Sequence, residues 1–242
     1  MAVPQRARLV PSTGQQRRAP LRWVVILGVV IGAVLYSNWV LEVVFTRTLP
    51  DPDLYISELA AADQPYGEWF RACDLASAAV LLAATAAALV GLRGGKWSQR
   101  GWWALGMFAV ATAVDSTVWR LVCAPSSDAG CAAREGSRTV PIGHQLHWLS
   151  SGVVLTAAVA SLFAFVMADS REGAAPRTRR LGRFMLGALI GTAVLTGVAI
   201  LIDSADVIGV VGIAQRAELV AFAGWLIYVA LRTARAPTET DS

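Results

Sequence analysis

The stretch GHQLHWLSS, residues 143–151, holds both histidines of this 242-residue chain, three positions apart. Positions 144, 147 and 151 recur at helical spacing, so His144, His147 and Ser151 fall on one helix face. Two imidazoles joined by a carboxylate from another helix can hold a metal with one position left open for water. Zinc is the candidate metal, and Asp115 or Asp203 the candidate third ligand. The set His144, His147 and Asp115 is therefore the candidate catalytic and metal centre. The same histidines have two plainer readings: hydrogen bonds that orient the 123–143 loop, or a pH sensor. An HxxH pair without the glutamate of a zincin motif does not choose among them.

The elements around these residues are far better specified. Hydrophobic residues make up 55% of the chain and charged ones 16%, against about 45–50% and about 25% in a soluble domain. The apolar residues come in blocks of about 20, enough for a helix to cross about 30 Å of hydrocarbon. Backbone groups in lipid must be satisfied within the segment, which makes such blocks helices. The expected fold class is all-α, a polytopic bundle of six transmembrane helices at 23–45, 70–92, 102–122, 147–168, 184–202 and 207 or 217–231. A basic, disordered tail at 1–21 would precede the membrane domain, 22–232, and a short tail at 233–242 would follow it. The first apolar run continues past Trp39 without a small-x-small cleavage site, so it reads as a retained span and not a signal peptide.

Charge orients the bundle. Arg6, Arg8, Arg17, Arg18 and Arg22, then Arg93, Lys96 and Arg100, the run Arg171–Arg183, and Arg232 and Arg235 all fall on one side of a six-span arrangement. Arg47, Arg71, Arg120, Arg134, Arg138 and Arg216 fall at or near the other, with Asp51, Asp53, Glu58, Asp63 and Glu68. By the positive-inside rule both termini are cytoplasmic, in a plasma membrane. The net charge of +4 is then an orientation signal. No aromatic-interleaved basic patch points to nucleic acid. The three cysteines come out on the oxidising exterior, where Cys123 and Cys131 are expected to form a disulfide and Cys73 to remain free.

Ionisable residues inside a span are costly and mark candidate sites. Of Asn38 and Glu42, Asp74 and Ser77, Asp115 and Ser116, the histidines with Ser150 and Ser151, and Asp203, Asp206, Gln215, Arg216 and Glu218, nearly all gather in the exterior half. They outline an outward polar cavity with Asp74, Ser77, Ser151, Asp203 and Arg216 as candidate ligand-binding residues. The plainer reading is that helix ends near water are polar anyway, with Asp74 and Asp206 complementing a helix dipole. Arg216 must be partnered by a carboxylate such as Asp115 or Glu218, or else 207–214 is an interfacial or re-entrant piece. Trp69, Phe70, Trp97, Trp102, Trp103 and Trp148 read as interfacial aromatics. A short interfacial helix is expected near 57–62.

CAPSSDAGC, the His144/His147 pair with Ser150/Ser151, and GIAQRAELVAFAGW near the end together resemble a largely bacterial membrane family, domain of unknown function 998. The resemblance covers most of the chain and implies a compact helical bundle of unassigned activity. A looser likeness to intramembrane hydrolases of the alkaline ceramidase type lies in the membrane Ser, Asp and His residues, but the chain has two histidines and no HxxxH pair.

Three function classes follow: a protein that binds lipid or envelope-related small molecules in an outward cavity, an outer-leaflet metal-dependent hydrolase, and a non-catalytic partner of another membrane protein. No Gly/Pro-broken helix pair or strong inverted repeat signals a secondary transporter. Whether the protein is an enzyme is left open by the sequence.

Overall fold

The computed structural model describes residues 13–46, 52–204 and 209–235. The expectations for Arg47, Asp51 and Asp206, for residues 1–12 and 236–242 of the two tails, and for a sixth span starting at Val207 lie outside the described residues. The remainder is helical, with no strand among the described residues. Six long helices are α1 (Thr13–Tyr36), α3 (Gly67–Gly91), α4 (Lys96–Thr117), α6 (Ile142–Arg171), α7 (Pro176–Asp203) and α8 (Val211–Arg235). Two short ones, α2 (Glu42–Thr46) and α5 (Ala129–Gly136), and 3-10 turns at Asn38–Leu41 and Ile56–Ala60 complete the chain.

The long helices pack as a closed ring: α1 on α3, α3 on α4, α4 on α6, α6 on α7, α7 on α8, and α8 back on α1. The α6–α7 seam is the sparsest of the six. At the ring's centre Phe108 packs edge-on against Trp225, with ring centroids 5.0 Å apart, and against Tyr36 and Phe222. Edge-to-face aromatic packing of this kind adds about 0.5–1.5 kcal/mol per pair beyond area burial.

Four helices, α3, α6, α7 and α8, are long and apolar enough to cross a membrane, and α1 continued through residues 38–45 makes a fifth, bent by 40°. Helix α4 falls short by that measure because Lys96, Ser98, Gln99 and Arg100 occupy its first turns and Thr112, Asp115, Ser116 and Thr117 its last. The described helices thus account for four or five of the six expected spans.

Helix ends differ from the apolar blocks for local reasons. Helix α1 takes in residues 13–21, assigned by sequence to a disordered tail; the run QQRRA consists of good helix formers. Helix α4 stops at Thr117, not near 122, because the next backbone groups find other partners: Val122 N–H bonds His144 Nδ1 and Leu121 C=O accepts from Ala62. Helix α8 begins at Val211, where Gly212 N–H donates to Pro52 C=O. A Cβ on Gly212 would lie 2.4 Å from the Leu54 carbonyl, so only glycine admits that crossing strand of loop. Of the expected interfacial aromatics, Trp102 and Phe70 are instead buried, while Trp69, Trp103 and Trp148 are exposed.

At the end opposite the disulfide, Asp169 is buried between α6 and α8, accepting from Tyr228 OH and, at 3.0 Å, from Arg232 Nε. Arg22 donates to the Thr233 carbonyl at 2.7 Å, satisfying an orphan C=O in the last turn of α8 and tying it to α1.

Candidate functional site

The residues between helices form a cap over the other end of the ring. The turn at Ile56–Ala60, expected by sequence near 57–62, carries Glu58, whose buried carboxylate accepts from Ser126 N–H and Oγ. Burial pushes the Glu58 carboxyl up from its ordinary value, and the Ser126 bonds offset this only in part. Ala62 N–H donates to Leu121 C=O, and Ala124 N–H to Asp63, joining the 52–66 loop to the segment after α4. Cys123 and Cys131 are bonded as a disulfide, with Cα atoms 6.0 Å apart, and Cys73 is free, as the sequence led us to expect. The cap is anchored to the ring by Ile56 N–H on Gln215 Oε1 at 2.7 Å and by Tyr55 OH on Asp203 at 3.2 Å. Burial, with the Asp203 carboxylate beside it, raises the Tyr55 phenol to about 12.

Beneath the cap lies a cavity of about 520 Å³. Tyr55, Ile56 and Leu59 roof it, and Tyr36 and Phe222 from the aromatic centre line its wall. Its polar lining includes Asn38, Asp74, Asp115, Ser116, His147, Ser151, Thr196, Gln215 and Glu218. Three of these are carboxylates on three different helices. A small-molecule site has this composition: mostly apolar walls with a few convergent polar groups.

Helix α1 breaks at the cavity. Ser37 Oγ donates to Ala33 C=O, and Asn38 Nδ2 donates both to Leu35 C=O and to Asp74 Oδ1, at 2.8 and 2.7 Å. Side-chain bonds to the backbone compete with the helical ladder. The chain therefore turns by 40° without glycine or proline, which is why a search for Gly/Pro breaks does not find it. The turn brings Glu42 to Arg216, with Nη2 to Oε2 at 2.7 Å. Arg216 is partnered as its burial demands, but by Glu42 and not by Asp115 or Glu218.

The histidines part company. His147 Nδ1 lies 2.9 Å from Asp115 Oδ1, an ion-pair approach in which neither ring nitrogen makes an aligned hydrogen bond. His144 is buried outside the cavity wall; its Nδ1 accepts from Val122 N–H at 3.1 Å and its Nε2 sits 3.6 Å from Glu135. That is the hydrogen-bonded, loop-orienting reading of this residue. Gly143 permits it, since a Cβ there would lie 2.3 Å from the Val118 carbonyl.

Among the described residues no three His, Cys, Asp or Glu side chains are grouped to hold a metal. The expected set His144, His147 and Asp115 does not fit zinc, because both His144 nitrogens face the loop. Of these three residues, Asp115 and His147 meet in the cavity wall and His144 stands apart from it. Ser150 donates to Asp115 and, at 2.8 Å, to the His147 carbonyl. A hydrolytic triad sends the serine proton to the imidazole, with the carboxylate behind it; here the carboxylate stands between the two.

Of the expected cavity residues, Asp74 and Ser151 line the wall together with Asp115 and His147, while three do not. Ser77 is fully buried and donates to Gly32 C=O at 2.8 Å, holding α3 on α1. Asp203 holds the roof through Tyr55, and Arg216 sits behind the wall on Glu42. Sequence reasoning missed Tyr36, Tyr55 and Thr196, which lie in ordinary apolar or loop contexts and carry no spacing signal.

These features define the class: a polytopic helical membrane protein. The chain belongs to the family described as Protein of unknown function (DUF998), which it matches over residues 26–232. No curated protein and no solved structure matches it.

Proposed function

We propose that the protein is a membrane ligand-binding protein whose cavity opens to the exterior side and takes a lipid or other small amphiphile. The ring supports six spans with α4 among them: it closes only when α4 stands between α3 and α6. Both termini are then cytoplasmic in the plasma membrane, and the disulfide cap is exterior. The observation that carries the reading is the cavity itself, about 520 Å³ with carboxylates from α3, α4 and α8 facing one chamber. The size is within the range of small-molecule sites, about 300–1,000 Å³. Binding is favoured over hydrolysis because the serine, histidine and carboxylate are connected in an order that activates no nucleophile.

The test uses two glycines in the wall. Gly152 and Gly197 line the cavity, and a Cβ on either meets nothing within 4 Å. Leucine at both positions is expected to fill the chamber and leave the fold intact. Native mass spectrometry of the full chain released from micelles should show lipid-sized adducts on the wild type and their loss from Gly152→Leu/Gly197→Leu. Equal adducts on both proteins, with equal unfolding temperatures, would remove the cavity as the binding site.

A further inference from the structure

We infer that the occupant is a long-chain amine: a protonated amine head in the cavity and a hydrocarbon chain lying along the α6–α7 seam. This rests on the cavity being a binding site and names the class of molecule it takes.

Charge points to the head. Asp74, Asp115 and Glu218 line one chamber, and the basic side chain among its lining residues, His147, is drawn against Asp115. Arg216, the other nearby cation, is held by Glu42 behind the wall. An anionic head, carboxylate or phosphate, would face three carboxylates in a water-poor site, which like-charge repulsion opposes strongly. A compact cation is complementary to them. The aromatic faces of Tyr36, Trp39, Tyr55, Trp148 and Phe222 around the same chamber suit an ammonium group as well.

Independent of charge, the wall carries a polar group with nothing to bind. The Trp39 indole N–H is buried there without a partner, whereas the Thr196 hydroxyl faces the Glu218 carboxylate. Unpaired buried polar groups are expensive and rare in folded proteins. The indole N–H donates, so the ligand's head is expected to carry an oxygen acceptor, a hydroxyl or carbonyl, beside its amine.

The seam points to the chain. A second, apolar groove of about 560 Å³ runs between α6 and α7, lined by Val159, Phe163, Leu186, Ile190 and Val194. It shares Leu155 and Ala193 with the cavity wall, so the two adjoin across these side chains. Its one hydroxyl, on Thr156, is already bonded to Gly152 C=O at 2.8 Å. From Leu155 to Phe163 the groove follows about 12 Å of helix, roughly two-fifths of the ~30 Å hydrocarbon layer. A straight hydrocarbon chain is the occupant that continues an acidic, aromatic chamber into a groove of this kind.

The test measures binding of hexadecylamine, hexadecanol and palmitate to the purified full chain by native mass spectrometry. Hexadecylamine is expected to bind about tenfold or more tighter than either other probe. Asp74→Asn/Glu218→Gln should bring the amine's affinity to within about twofold of hexadecanol's in the same variant, and Ala193→Trp should weaken all three probes by obstructing the junction. If hexadecanol or palmitate binds as well as the amine and Gly152→Leu/Gly197→Leu still abolishes binding, the cavity reading survives and the amine assignment falls. An amine preference that persists in the carboxamide variant also overturns it. If the leucine pair changes none of the three, both readings fall together. Unfolding temperatures of each variant separate lost binding from lost fold, with Glu218→Gln alone as the milder substitution.

Discussion

Several buried polar side chains in this protein are held by specific partners, and their substitution has directional outcomes. Asp115 serves both His147 and Ser150. Asp115→Ala removes the carboxylate facing His147 and one of the two acceptors of the Ser150 hydroxyl, and is expected to lower stability by about 1–3 kcal/mol, read as a fall in unfolding temperature in detergent. Glu58 has a pH signature. Its carboxyl is raised above 4.5 by burial, so the folded chain holds that proton more tightly than the unfolded one. Its contribution to stability is fully present below 4.5 and declines as pH rises through the folded value. Unfolding temperature should drop over that window, and Glu58→Gln should flatten the slope; an unchanged slope in the variant would assign the effect elsewhere. At this scale the sequence revealed which polar residues would be special, because a charge in an apolar helix stands out. It did not reveal partners. Glu42 and Arg216 are 174 residues apart, and nothing in their local patterns selects one for the other.

Elements depend on backbone partners that composition does not show. Apolar blocks located the long helices, since hydrocarbon length and hydropathy go together. The blocks misplaced the ends, where hydrogen bonds from loops decide: Ala62 and His144 end α4, and Pro52 starts α8. The bend after Tyr36 arises from serine and asparagine side chains, so it left no glycine or proline signal. Gly143→Ala would push a methyl against the Val118 carbonyl, forcing α6 away from α4. The expected result is a loss of about 1–3 kcal/mol and faster hydrogen exchange at Val122, whose amide bonds His144. Unaltered protection at Val122 would show that the two helices do not depend on that contact. The Glu42–Arg216 pair joins the bent end of α1 to α8. Glu42→Ala is expected to cost about 1–3 kcal/mol, read as a fall in unfolding temperature, by taking the carboxylate from the Arg216 guanidinium.

On the scale of the whole molecule, ring closure between α1 and α8 and the cap over one end define the cavity. Neither was legible in the sequence, since both are contacts between segments distant along the chain. The disulfide was, because topology put Cys123 and Cys131 together in one loop. It closes a loop of sequence separation 8, and Cys123→Ser/Cys131→Ser is expected to lower stability by about 2–3 kcal/mol and to loosen the cap. Hydrogen exchange at Ser126, whose amide bonds Glu58, should then rise; unchanged exchange would show that the remaining bonds suffice.

The Glu42–Arg216 pair also has a bearing on how the protein is made. Synthesis runs from the N-terminus, so Glu42 emerges 174 residues ahead of Arg216, a delay of roughly 9–35 s at 5–20 residues per second. Throughout that interval the Glu42–Arg216 contact cannot form. The ring stays open at the seam between α1 and α8 until the last helix arrives. Biogenesis of this protein is thereby a matter of timing as much as of hydrophobicity.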